Sequence, residues 1–182
     1  EKNNLFHAPE TYMEKISAKV NEKGVVDLDY STRENIFNLC EYLNKKPESI
    51  TACVMDRPRH KDIIDELNIL GVKIKLITDG DVSGALLVTD DKYGVDIFLG
   101  IGGGPEGVLA SAALDTFECS FQGRFLFHTE EDKRRANKMG ITNLSKKYEL
   151  DEIIKGDSIF CATGITSGDL VSGIITENNK FI

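Results

Sequence analysis

The sequence predicts a layered α/β/α domain around a mixed, largely parallel central sheet. Two observations carry this. Apolar runs of strand length alternate with stretches whose apolar residues recur at helical spacing, the pattern of successive strand–helix units. The central run, residues 95–99, is apolar at every position but Asp96, as expected of a strand covered on both faces. No stretch rich in Pro, Gly or Ser divides the 182 residues and no repeat stands out, so one domain is expected.

In chain order, residues 1–16 hold a short amphipathic segment around Tyr12, Met13 and Ile16. Ser31-Thr32-Arg33-Glu34 reads as a capping box, because Ser31 and Glu34 can each satisfy the other's backbone N–H; Ile36, Leu39, Cys40 and Leu43 follow at helical spacing. Residues 50–55 form a buried-strand candidate. Ile63, Ile64, Leu67 and Leu70 mark a helix that Gly71 can end. Residues 72–77 read as the next strand, followed by Asp79-Gly80-Asp81 and a short helix through Ala85 and Leu86. After the strand at 95–99, a glycine-rich turn, Gly100 to Gly104, leads to a helix with Pro105 at its first position. Residues 119–127 alternate as a strand, Thr129 opens a charged helix that Gly140 stops, and 158–162 and 170–175 are two further strand candidates.

Composition narrows the function. Apolar residues make up 41% and charged residues 29%, so the chain can build an ordinary core. A net charge of −8 argues against non-specific binding to nucleic acid or anionic membranes, though not against a local basic pocket. Cys40, Cys53, Cys119 and Cys161 contain no CxxC pair and read as reduced structural thiols. With no apolar run of membrane-spanning length and no signal peptide, the expectation is a cytoplasmic protein. The chain opens at Glu1 without an initiator Met and stops at Phe181-Ile182, so it is expected to be a piece of something longer.

Three loops fall at the carboxyl ends of successive strands, where open α/β sheets bind ligands. The first, Asp56-Arg57-Pro58-Arg59-His60, offers two guanidinium groups on a proline-stiffened turn; it is a phosphate-binding candidate or a solvated turn. His60 can orient that turn, although a surface histidine is the plainer reading. In the second loop, Asp79 and Asp81 can ligate a metal or accept hydrogen bonds from sugar hydroxyls, and Asp79 can equally serve as a helix N-cap. The third contains G-x-G-x-x-G at Gly102, Gly104 and Gly107 with Glu106 inside it. A carboxylate there would repel a pyrophosphate, no Gly-Lys-Ser/Thr follows, and no acidic residue is placed for a ribose, so neither dinucleotide nor P-loop binding fits. Something positive, most economically a metal ion, should sit beside Glu106; the alternative is that Glu106 only complements the helix dipole. His7, His60 and His128 have no metal-ligand spacing. The hydroxyl-rich turn at 162–169 either lines the crevice or merely connects, and reads mainly as a connection.

Together these motifs resemble the class II fructose-1,6-bisphosphatase family (the GlpX type). The resemblance is carried by Ala8-Pro9-x-x-Tyr12-Met13-Glu14-Lys15, Arg57-Pro58-Arg59-His60, Asp79-Gly80-Asp81-Val82, Gly100-Ile101-Gly102-Gly103 with Pro105-Glu106-Gly107-Val108, Gln122-Gly123-Arg124, and Ala162-Thr163-Gly164-Ile165-Thr166 with Gly168-Asp169-Leu170. It implies membership of the lithium-sensitive sugar-phosphatase superfamily and hydrolysis of the 1-phosphate of fructose 1,6-bisphosphate, with sedoheptulose 1,7-bisphosphate as a second substrate, in gluconeogenesis. By resemblance, Tyr12, Arg57, Pro58 and Arg59 meet the far phosphate, Asp79, Gly80, Asp81 and Gly103 contact the sugar, and Glu106 is the catalytic metal ligand for Mn²⁺ or Mg²⁺. Arg57 stands where some members carry Lys. The family's other metal carboxylates belong to an N-terminal half not found in these residues, and its final C-terminal segment is missing too. The chain is therefore expected to be the substrate-binding part of a homo-oligomeric enzyme, inactive alone. The alternatives are a non-catalytic sugar-phosphate-binding fragment and a related inositol or sugar phosphatase. No nucleic-acid or membrane partner is expected.

Overall fold

The computed structural model describes residues 4–78, 80–177 and 180–181. Its centre is a six-stranded sheet made of β1 (Tyr12–Ala18), β2 (Thr51–Met55), β3 (Lys73–Ile77), β4 (Ile97–Gly103), β5 (Ser120–Leu126) and β6 (Lys147–Glu149). The order across it is β3-β2-β4-β1-β5-β6. β2 lies parallel to both β3 and β4, whereas β1 is antiparallel to β4 and β5, and β6 is antiparallel to β5. Four of the six strands, β2 to β5, thus run the same way, which is the mixed, largely parallel sheet expected. The two against them are β1 and β6.

Helices cover both faces. On one, α1 (Thr32–Leu43) and α2 (Lys61–Ile69) pack Ile36, Leu39 and Leu67 against Ile16, Ile50, Val54 and Ile97. On the other, α3 (Asp81–Leu86), α4 (Gly104–Asp115) and α6 (Leu150–Ile153) pack against Met13, Phe98, Phe121 and Phe125. β1 divides its side chains between these layers with period two: Ile16 and Ala18 join the first cluster and Met13 the second. The charged helix, α5 (Glu130–Lys138), contributes only Ala136 to buried positions.

Most local signals hold. Ser31 and Glu34 form the expected capping box on α1, and Thr129 with Asp132 forms another on α5. Gly71 and Gly140 follow α2 and α5 in left-handed conformations, at φ 73° and 84°. Cys40, Cys53 and Cys119 are free and buried, and burial pushes the Cys53 thiol up to about 12; Cys161 is free and exposed. Among the described residues no helix is long and apolar enough to cross a membrane.

Three expectations need correction. The glycine run is not a turn: β4 continues through Gly103, and Gly104 starts α4, which makes Pro105 the second helical residue. The run can stay extended because β1 pairs with it residue by residue, from Tyr12↔Gly103 to Ala18↔Ile97. Residues 158–162 and 170–175 form no strands; Ile159 is 97% and Ile175 56% exposed, and only Phe160 and Leu170 of these runs pack against the core, too little cover for a strand. Instead Thr176–Glu177 (β7) and Lys180–Phe181 (β8) pair as a minimal antiparallel ribbon.

Candidate active site

Strand order decides where the loops meet. From β2 the chain goes outward through α2 to β3, then returns across β2 through α3 to β4. The connections leaving β2 and β4 therefore depart to opposite faces and leave a crevice at the carboxyl ends of those strands. β1 runs against β4, so its first residue, Tyr12, arrives at that same end.

The arginine loop is fastened to β4 by side chains. β2 pairs with β4 only as far as Val54↔Leu99, so the backbone of Ile101 beyond it lacks a strand partner on that side. His60 and Arg59 substitute for one: the Ile101 N–H donates to His60 Nε2 at 2.7 Å, and Arg59 Nε donates to the Ile101 carbonyl at 2.7 Å. His60 is wholly buried, contrary to the surface position favoured from sequence, and its Nδ1 has no hydrogen-bond partner. The Arg59 guanidinium lies over the Tyr12 ring, 5.0 Å from its centroid. Arg57 turns to its own loop, donating from Nη1 to the Asp56 carbonyl at 3.0 Å, and Pro58 opens the 3₁₀ turn Pro58–His60.

Burial, more than the nearby Arg59 charge, lowers the pKa of His60 from its ordinary 6.5. The unfolded chain then binds the proton more readily than the native one, so stability is fully present above the ordinary value and is lost as pH falls toward the native one. Acidification from about pH 7.5 to about pH 5.5 should destabilise the protein more than its His60→Gln variant, as read by denaturant unfolding at the two pH values.

On the opposite face the structure brings together a group that sequence reading missed. Lys15 is 1% exposed, and its ammonium pairs with Asp81 Oδ2, the first residue of α3. Gly80 precedes it in a left-handed conformation, φ 89°, and Asp79, a candidate from sequence, lies outside the described residues. Asp81 rests on Gly102, where a Cβ would stand 2.3 Å from Oδ2; its other oxygen, Oδ1, is buried and unpartnered. Burial lowers the Lys15 pKa against the raising influence of Asp81 and Glu106. The positive charge expected near Glu106 is thus present in part as this lysine. Its signal in the sequence was the period of β1, which puts Lys15 on the same face as Met13.

Glu106 is exposed in the first turn of α4 and folds back over Gly103, where a Cβ would stand 1.9 Å from Oε2. Tyr12, Gly103 and Glu106 line one cleft of about 550 Å³ with Glu10, Thr11, Pro105, His128 and Asp132. Arg57, Arg59 and Asp81 do not line it; Arg59 reaches it through Tyr12, and Asp81 flanks it at Gly102. Among the described residues no three His, Cys, Asp or Glu side chains gather closely enough to hold a metal ion. Gln122-Gly123-Arg124 fastens the loop before α1: Gln122 accepts from Leu28 N–H at 2.8 Å, and Arg124 pairs with Asp29. In the 162–169 turn, Asp169 pairs with Lys75 at 2.9 Å, in keeping with a connection.

The same stretch of chain, residues 1–182, matches the family model described as bacterial fructose-1,6-bisphosphatase, glpX-encoded. The chain belongs to this family. It is 39% identical to a D-fructose 1,6-bisphosphatase class 2/sedoheptulose 1,7-bisphosphatase of Synechococcus sp. (strain JA-3-3Ab), over 96% of the chain and 54% of that relative. Proteins of the same description from Microcystis aeruginosa (strain NIES-843 / IAM M-2473) and Prochlorococcus marinus (strain AS9601) are 38% and 37% identical, again over 96% of the chain and over 54% and 57% of their own lengths. The chain spans about half the length of the curated relatives it matches. The family match runs through every loop described above.

Proposed function

We propose that the complete protein hydrolyses the 1-phosphate of fructose 1,6-bisphosphate to fructose 6-phosphate and phosphate, with sedoheptulose 1,7-bisphosphate as a second substrate. The observation that carries this reading is the family match over the whole chain, in which the Arg59–Tyr12 contact and the Gly103–Glu106 pair meet at one cleft. Residues 1–182 would form a single substrate-binding domain of that enzyme. Arg59, held by Ile101, and Arg57 would grip the far phosphate, with Tyr12 closing over it; that binding energy would fix the reacting end. Pro58 keeps the two arginines on one short turn. Gly80, Asp81 and Gly103, with Asp79, would meet the sugar.

A divalent ion, Mn²⁺ or Mg²⁺, would supply water activation and charge neutralisation at the phosphate. The fit to these residues is partial. Glu106 is a hard oxygen donor on a glycine-cleared surface and can hold one coordination position, but Asp81 is already committed to Lys15 and no third carboxylate joins them among the described residues. That partial donor set favours one further reading, that residues 1–182 alone bind the sugar bisphosphate without turning it over.

Phosphate release from fructose 1,6-bisphosphate by the complete protein, with and without Mn²⁺ or Mg²⁺, tests the proposal, with an inositol monophosphate as comparison. Metal-dependent release is expected, and Arg59→Ala should raise KM about tenfold or more while changing kcat less, the mark of uniform binding lost. No release, or equal release from the inositol phosphate, would overturn it. Calorimetry of residues 1–182 with the same sugar should give binding without turnover.

A further inference from the structure

No other Lys, Arg, Asp or Glu among the described residues is buried as deeply as Lys15. Burying an ammonium is unfavourable, and an apolar side chain of similar length would fill the space at less cost. The surroundings are nevertheless shaped for it. A Cβ on Gly107 would lie 3.0 Å from Lys15 Cε, one on Gly102 2.3 Å from Asp81 Oδ2, and one on Gly103 1.9 Å from Glu106 Oε2. Three glycines at the end of β4 and the start of α4 thus open the space that the lysine stem and the two carboxylates occupy. The ion pair uses Asp81 Oδ2 and leaves Oδ1 buried beside Gly102 without a donor.

From this geometry we infer that Lys15 is a positioning residue: it holds the Asp81 carboxylate pinned on Gly102 through Oδ2, with Oδ1 left to accept a hydrogen bond from a sugar hydroxyl. The inference rests on the proposed sugar-bisphosphate function and adds to it a residue that acts through Asp81. The lysine charge also attracts Glu106 at the short strand end. A carboxylate released from this pairing would rotate away from Gly102 toward solvent, and the hydroxyl would lose its acceptor.

The test is a double-mutant cycle in the complete protein with Lys15→Met, Asp81→Asn and the pair together. Each variant is assayed on fructose 1,6-bisphosphate and followed by equilibrium unfolding. Lys15→Met should lower kcat/KM about 10- to 100-fold, the range for a partner that orients a binding group, and mainly through KM. The double variant should lose no more than Asp81→Asn alone. A merely structural lysine would lower the folded fraction, so that apparent kcat falls while KM stays unchanged; that result overturns the inference, as do losses that multiply in the double variant. Should Lys15→Met fail to fold, the double variant leaves neither charge unpaired, and its comparison with Asp81→Asn still decides. An active parent protein with an unaffected Lys15→Met variant sinks this inference alone. A parent protein that releases no phosphate overturns the functional reading and this inference with it.

Discussion

Glu106→Gln is expected to lower turnover of the complete protein by roughly 10²–10³-fold, the scale on which removing one group that manages developing charge is felt. Stability should hardly change, because Glu106 is exposed and makes no contact on which the core depends; surface substitutions of this kind stay within about 0.5 kcal/mol. Gly103→Ala provides a geometric control. Its φ of −61° is open to any residue, so the backbone tolerates alanine, while the new Cβ must push the Glu106 carboxylate aside. Both variants should therefore melt like the parent and lose activity. Steady-state kinetics with thermal unfolding of each variant checks this, and a Glu106→Gln protein with parental turnover would remove Glu106 from the site.

Phe98→Ala is expected to cost ~3–5 kcal/mol, toward the upper end of that range. Phe98 is wholly buried on β4, and its ring occupies the space over two glycines: a Cβ on Gly84 would come within 3.0 Å of the ring and one on Gly100 within 2.6 Å. Part of the wall of the cavity left by alanine would be the backbone of Gly84 and Gly100, which have no side chains to swing in and fill it. Denaturant unfolding measures the loss. Since α3 carries Asp81, the same variant should also loosen the Lys15 pairing and weaken sugar binding.

Local features were legible in the sequence because their causes are local. The Ser31–Glu34 box, the stops at Gly71 and Gly140, and the strands at β2, β3 and β5 follow from caps, left-handed glycines and short-range patterning. The geometry of the candidate site was legible in part. Tyr12, Gly103 and Glu106 do share a cleft, and the arginine loop does reach it. What escaped depends on contacts between distant residues. His60 looks like any histidine in a turn until β4 is seen to run past the end of β2 and need a partner. Lys15 looks like a solvated lysine until β1 is placed in the middle of the sheet. The glycines of β4 suggest a turn until each is matched to the carboxylate or aromatic ring that it admits. The apolar runs at 158–162 and 170–175 had the composition of strands, but only Phe160 and Leu170 pack against the core.

β1 carries a consequence for how the protein is made. It comes early in the chain, yet its partners are β4 and β5, and Thr11 just before it bonds to the Leu126 carbonyl, 115 residues later. Until β5 has left the ribosome, β1 can have only β4 of its two neighbours, and one of its edges stays unpaired. Such remote pairing slows folding and leaves an apolar strand waiting in the open. Tyr12 and Lys15 thus reach their final places only once synthesis has passed Leu126, and the candidate site should be among the last parts of these residues to mature.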